Sequence, residues 1–251
     1  MPPFARFAIV LATTTALATA LYAATNYVSI KENASQTCIA SNSIPNHATG
    51  QFPNRGNPNS IRAQNISTCL PANPVKGDTP QSTRVIGIAT NGVLIQPKTA
   101  DYYDASSRRG HSRDPSSGWH IDGMGARDML GLDDNNAHVD PSGLYHYHGV
   151  AEPLVATSSG SRIGWAADGF EIHYVGDKAR SSYMLKGGTR PTAPGGAYDG
   201  TYNQDFDFVA GSGNLDQCNG AMVNGTYTYF ATDTYPYFPH CLYGTSIASL
   251  R

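Results

Sequence analysis

The chain has 251 residues, only 14% of them charged, and a formal net charge of −2. With 17 Lys and Arg against 19 Asp and Glu, it lacks the basic excess that neutralises phosphates, which argues against a nucleic-acid partner. Its 26 glycines, 16 prolines and 15 tyrosines, set among many Asn, Ser and Thr, favour short strands joined by turn-rich loops. The expected fold class is therefore all-β, with little helix.

Residues 1–24 have the outline of a signal peptide. Arg6 precedes an uncharged stretch from Ala8 to Ala24, and small residues allow cleavage after Ala20 or Ala24. The threonines within that stretch disfavour a permanent anchor, and no second long apolar run follows. The expectation is a secreted or periplasmic protein with no membrane contact after cleavage. Four cysteines, Cys38, Cys69, Cys218 and Cys241, fit that compartment as two disulfides. Sequence proximity favours Cys38–Cys69 and Cys218–Cys241 among the three pairings that four cysteines allow. Their wide spacing argues against a cysteine zinc site.

Residues 25–80 form the next unit, an N-terminal arm. From Cys38 to Pro80 the sequence is rich in Asn, Pro and Gly with little periodicity, which predicts an extended, disulfide-pinned cover over the core. Residues 81–251 form the β domain and contain an internal match. Ile86-Gly87-Ile88-Ala89-Thr90-Asn91-Gly92 aligns with Ile163-Gly164-Trp165-Ala166-Ala167-Asp168-Gly169, each a strand entering a tight turn. Downstream, Leu132-Asp133 through Gly143-Leu144-Tyr145-His146-Tyr147-His148 aligns with Leu215-Asp216 through Gly225-Thr226-Tyr227-Thr228-Tyr229-Phe230. The pattern predicts two degenerate repeats, about 84–155 and about 161–245, packed as one β-sandwich or barrel-like domain. Helical signal is confined to a turn or two within Ala126 to Leu132.

The chemistry concentrates at Tyr145-His146-Tyr147-His148. In a strand, i and i+2 share a face, so His146 and His148 point one way while Tyr145 and Tyr147 point the other. Two imidazoles in that relation can tilt onto one metal ion, and a third ligand is required for a tight site. His138 is the candidate, brought back beside the strand if Asp140-Pro141-Ser142-Gly143 turns the chain. His120, His47 and Asp122 are further candidates for ligation or for orienting an imidazole, as are Tyr145 and Tyr147. Imidazole donors suit copper, zinc, iron and nickel, and nearby tyrosines in an exported protein lean the expectation towards copper over zinc. The plain alternative is an amphipathic strand with one polar face. The second repeat argues against it: Ala221, Thr228 and Phe230 replace the three histidines there, while Asn219, Gly225, Tyr227 and Tyr229 keep the scaffold.

The run Asn136-Ala137-His138 to Tyr145-His146-Tyr147-His148-Gly149 resembles the signature of the YHYH-domain family. Asn42-Ser43-Ile44-Pro45-Asn46-His47, Ala167-Asp168-Gly169-Phe170 and Leu215-Asp216-Gln217-Cys218-Asn219-Gly220 are similar to other segments of that family, so the resemblance runs from about Cys38 to Cys241. The chain departs from the family pattern at Asn135, where a cysteine is usual, and at Glu171, where a proline is common; His138 is kept. The resemblance implies an exported bacterial-type protein and brings no established reaction.

Two functional readings remain open. One is an exported protein that binds copper or zinc through His146, His148 and His138, with a catalytic role undecided, since storage or delivery would use the same ligands. The other is an extracellular binding module for a small molecule, glycan or protein, without metal, in which Tyr227, Tyr229, Tyr235, Tyr237 and Phe238 stack on sugars or fill the core. The basic run Arg108-Arg109-Gly110-His111-Ser112-Arg113 is either solvated surface or a contact for an anion.

Overall fold

The computed structural model describes residues 25–250; the leader expected over residues 1–24 lies outside them. The N-terminal region is more regular than its composition predicts. Strands β1 (Val28–Glu32), β2 (Gln36–Ser41) and β3 (Ile66–Pro71) form an antiparallel sheet. Alternation in β2 and β3 turns Ile39, Ile66 and Leu70 into the core. Cys38 stands opposite Cys69 in this ladder and is bonded to it. Only residues 42–65 run as a strap without strand. Strand β4 (Lys76–Gln81) follows and pairs with the last strand of the chain.

The first half of the main sheet begins with the hairpin of β5 (Gly87–Ala89) and β6 (Leu94–Ile95). Its turn needs the left-handed backbone of Gly92, at φ +84°. The chain then leaves the sheet for an excursion of β7 (Lys98–Tyr103), β8 (His111–Ser112) and β9 (His120–Asp122), with β7 in the centre. One short helix, α1 (Arg127–Leu130), falls within the predicted 126–132 stretch. It leads to β10 (Ala137–Val139) and β11 (Tyr145–Tyr147). A second short helix, α2 (Glu152–Thr157), was not anticipated; six residues around Pro153 are too few to show a helical period.

The second half opens with β12 (Arg162–Ala166) and β13 (Glu171–Tyr174), leaves through the pair β14 (Tyr183–Leu185) and β15 (Phe206–Phe208), and returns with β16 (Gly220–Val223) and β17 (Thr226–Ala231). Strand β18 (Leu242–Gly244) closes the chain against β4. Cys241, just before it, is bonded to Cys218.

Eight strands make one sheet in the order β10-β11-β6-β5-β12-β13-β17-β16. Its two halves meet at the antiparallel β5–β12 pair. Outward from that pair each half reads the same: an antiparallel hairpin, a parallel contact (β6–β11 or β13–β17), then an antiparallel edge pair. The units thus lie side by side in a single open sheet rather than closing into a barrel. Ile39 and Leu70 of the N-terminal sheet share one apolar cluster with Ile88, Leu94, Trp165 and Ile172, so the packing is sandwich-like and mainly β. Among the described residues no helix is long and apolar enough to cross a membrane.

The Cys38–Cys69 bridge closes a sequence separation of 31 residues, and cross-linking a loop of that size contributes about 2–4 kcal/mol. Replacing both cysteines by alanine is expected to lower unfolding free energy by about that amount in chemical denaturation. An unchanged midpoint would show that packing alone holds the N-terminal sheet in place.

Candidate metal centre

The motif strand is fixed from its tyrosine side. Tyr145 donates its hydroxyl to Asp133 Oδ2 at 2.9 Å, and Tyr147 accepts from Asn91 Nδ2 at 3.0 Å. His47 belongs to this side too: its Nε2 meets the Tyr147 hydroxyl at 2.6 Å while its Nδ1 faces the Ala48 carbonyl at 2.8 Å. Tyr145 and Tyr147 are fully buried, and burial pushes both phenols above their ordinary pKa. With both hydroxyls tied down, alternation sends His146 and His148 to the opposite face.

The turn Asp140 to Gly143 brings back the third histidine. Gly143 N donates to Asp140 O at 2.9 Å, and the Asp140 carboxylate accepts from Ser142 N at 2.8 Å and Leu144 N at 3.2 Å. Gly143 adopts φ +87°, which glycine tolerates. The resulting hairpin sets His138 directly opposite His146. One ring nitrogen of each of His138, His146 and His148 lies within 4.8 Å of the others. The His146 and His148 Nε2 atoms are 3.1 Å apart, as two ligands of one ion would be.

Each imidazole is held by its other nitrogen. His138 Nδ1 donates to Leu130 O at 2.9 Å, His146 Nδ1 to Leu144 O at 3.1 Å, and His148 Nδ1 to Pro97 O at 3.1 Å. A carbonyl accepts only, so every Nδ1 carries its proton and every Nε2 presents a lone pair. Burial lowers all three pKa values, with that of His148 falling to about 3. The cluster is therefore neutral at physiological pH, with lone pairs converging and no proton between them.

The remaining walls come from the β7–β9 excursion and from β6. A Cβ on Gly123, just after β9, would sit 2.3 Å from His148 Nδ1, so only glycine lets this segment rest on the ring. Because β11 runs parallel to β6 with His146 beside Leu94, Gln96 falls beside His148 on the histidine face. Above the triad is a cleft of about 250 Å³, lined by His138, His146, His148, Gln96 and several basic residues.

The other candidates stand apart from the triad. His120 uses both nitrogens, towards Thr99 O and Asn203 Nδ2, each at 3.0 Å, and stacks on Tyr102. Asp122 accepts from Met124 N at 3.0 Å and Gly125 N at 2.9 Å, shaping the turn that carries Gly123; burial raises its carboxyl to about 7. His47, Tyr145 and Tyr147 are on the far face, so the tyrosines expected to lean the site towards copper do not meet the triad. Gln96, Gly123 and the Leu130 and Pro97 carbonyls carried no signal in the sequence, because their relation to the histidines is purely tertiary.

The equivalent place in the second half holds no histidine. Ala221 pairs with Thr228 as His138 pairs with His146, in the same register. Tyr227 donates to Asp216 at 2.8 Å and Tyr229 to Asp168 at 2.8 Å, matching the first-half tyrosines. Phe230, in the place of His148, packs with Ala179 and Leu215.

A family model described as "YHYH protein" matches residues 67–244 of this chain. The chain belongs to the YHYH family. Comparison of this YHYH protein with curated proteins and with solved structures gives no match. A second polar chain, Ser161 Oγ to His173 Nδ1 at 2.8 Å and His173 Nε2 to Glu171 at 2.6 Å, joins β13 to the residue that precedes β12. Arg162 reaches both Glu171, at 2.6 Å, and Glu32, at 2.9 Å. This network ties β1 to the central sheet.

In the metal-free protein, long-range proton–nitrogen spectra are expected to show the Nδ1–H tautomer for all three triad histidines at neutral pH. Gly123→Ala is expected to change the resonances of His148 while leaving those of His138 nearly in place. An unchanged His148 would show that the ring does not depend on this glycine.

Proposed function

We propose that this YHYH protein is exported and binds one transition-metal ion, copper or zinc, through His138, His146 and His148. The observation that carries the reading is the convergence of three Nε2 lone pairs whose Nδ1 protons are already committed to carbonyls. Lone pairs this close repel unless a proton or a metal ion lies between them, and burial disfavours the proton. All-imidazole donors suit copper and zinc, and the carbonyl hydrogen bonds fix each ring for ligation. The divalent affinity order places copper above zinc for such a set.

A three-histidine ion keeps a coordination position for water or substrate and can act as a Lewis acid there. The chain itself orients the three rings, keeps them deprotonated by burial, and opens that position to the cleft. Two disulfides support an oxidising compartment, in keeping with the leader-like residues 1–24. The matched pairing of the two halves supports a duplicated unit in which the histidines serve function rather than folding. The metal-free binding-module reading loses its aromatic support, because Tyr227, Tyr229, Tyr235 and Phe238 are buried.

Plasma mass spectrometry of untagged protein is expected to give about one copper or zinc per chain, lost in His146→Ala/His148→Ala. A triple variant carrying the second-half residues, His138→Ala, His146→Thr and His148→Phe, is expected to fold and to bind no metal. Metal absent from the wild type after reloading would favour the binding-module reading.

The pH dependence follows from the lowered pKa values. Folded values lie below the unfolded 6.5, with that of His148 near 3, so the unfolded chain binds more protons in that window. Stability of the metal-free protein is therefore expected to hold above about 6.5 and to fall as pH drops below it. Metal is expected to stay bound at pH values where a free imidazole is already protonated. Release beginning near 6.5 in dialysis series would contradict the buried, neutral triad.

A further inference from the structure

The cleft over the triad carries a charge that the rest of the chain does not. Arg84, Lys98, Arg109 and Arg113 line it against Asp101 and Asp140, four cations to two carboxylates, in a chain whose formal net charge is −2. Asp140 is engaged by Arg84 at 3.7 Å and Asp101 by His111 at 3.3 Å. Arg109 and Arg113 are exposed at the rim, and neither makes an ion pair among the described residues. Lys98 is half-buried and, among the described residues, its side chain is hydrogen-bonded only to Ser82 Oγ, at 2.9 Å, with no carboxylate partner. Cations gathered in a concave, low-dielectric wall focus a positive potential that draws in anions.

A second, independent feature lies deeper. Gln96 is 1% exposed, lines the same cleft and stands beside His148, yet its amide Nε2 has no hydrogen-bond partner among the described residues. A buried donor left unsatisfied is destabilising, and an acceptor held in the cleft would remove that cost. The cleft holds about 250 Å³, below the range of about 300–1,000 Å³ typical of drug-sized sites, so the occupant is small.

We propose that this cleft is the binding site for a small oxyanion, a carboxylate or phosphate group, held between the Arg109 and Arg113 guanidinium groups at the rim and the Gln96 amide at the base. The occupant would therefore sit over the three histidines, and its placement as a substrate group rests on the metal-binding reading above. The basic loop 108–113 then supplies the entrance. Arginine suits the role because its planar fork matches both carboxylate and phosphate. Large uncharged sugars are excluded by size, and cationic ligands by the rim.

The test uses the full mature chain, zinc-loaded, with metal content measured on the same sample, and titrates inorganic phosphate and acetate in separate arms by calorimetry. The wild type is expected to bind at least one of the two; phosphate alone or acetate alone identifies the source of the oxyanion. Arg109→Ala/Arg113→Ala is expected to weaken binding tenfold or more, and Gln96→Met several-fold, with metal content unchanged in both. Neither anion binding to fully loaded protein would overturn the proposal. Equal binding by wild type and both variants would also overturn it, since the anion would then be only a ligand of the ion. If no zinc loads, the metal reading fails on its own, and the same titration of the metal-free protein decides the cleft: binding lost in the arginine variant supports it, and no binding overturns it.

Discussion

Everything at this site depends on the anchoring of two phenols. Tyr145 is bonded to Asp133 and Tyr147 to Asn91, two residues from different segments of the same half. A strand with one face fixed in this way has no freedom in the other, because a one-residue slip would exchange the faces and bury four polar side chains in the wrong places. The tyrosines are thus the positioning half of the motif and the histidines its chemical half. The imidazoles then complete their own orientation through three backbone carbonyls, one of which, Pro97 O, is distant in sequence.

The second half of the sheet serves as an internal comparison. It keeps the phenol anchors, with Asp216 for Asp133 and Asp168 for Asn91. It also keeps a left-handed asparagine at the same point, Asn219 at φ +57° against Asn136 at +59°. Where the histidines would stand, it packs Phe230 against Leu215 and Ala179. Burial of apolar groups is the ordinary solution for that position, and it stabilises without requiring partners. Three neutral imidazoles with convergent lone pairs are an unfavourable substitute unless something binds them. That contrast separates what the fold needs from what the site does.

Much of this was legible in the sequence, for identifiable reasons. Period-two alternation assigned the faces of Tyr145 to His148, the Asp140–Gly143 turn returned His138, and cysteine proximity gave both disulfides. The all-β class followed from composition. Less visible were relations that cross long stretches of chain, Pro97 O on His148, Gly123 beneath the ring and Gln96 beside it, and the local turn of α1 that sets Leu130 O on His138. One signal was present and unused. Leu132-Asp133 accompanies Tyr145 in the first half as Leu215-Asp216 accompanies Tyr227 in the second, a pairing that points to the carboxylate–phenol bonds. The N-terminal sheet was hidden by its own composition, since Asn, Pro and Gly concentrate in the strap 42–65 and mask the alternation in β2 and β3. His47, His120 and Asp122 are candidates by residue type; in the fold His47 meets the Tyr147 hydroxyl, His120 stacks on Tyr102, and Asp122 shapes the turn that carries Gly123.

X-ray absorption at the metal edge of the copper- or zinc-loaded protein bears most directly on the three-histidine centre. The geometry predicts three imidazole nitrogens at about 2.0–2.1 Å for zinc, with the outer-shell scattering of ordered rings, and one lighter ligand in the open position. A first shell of oxygens alone, or one that is unchanged when His138, His146 and His148 are replaced, would contradict it.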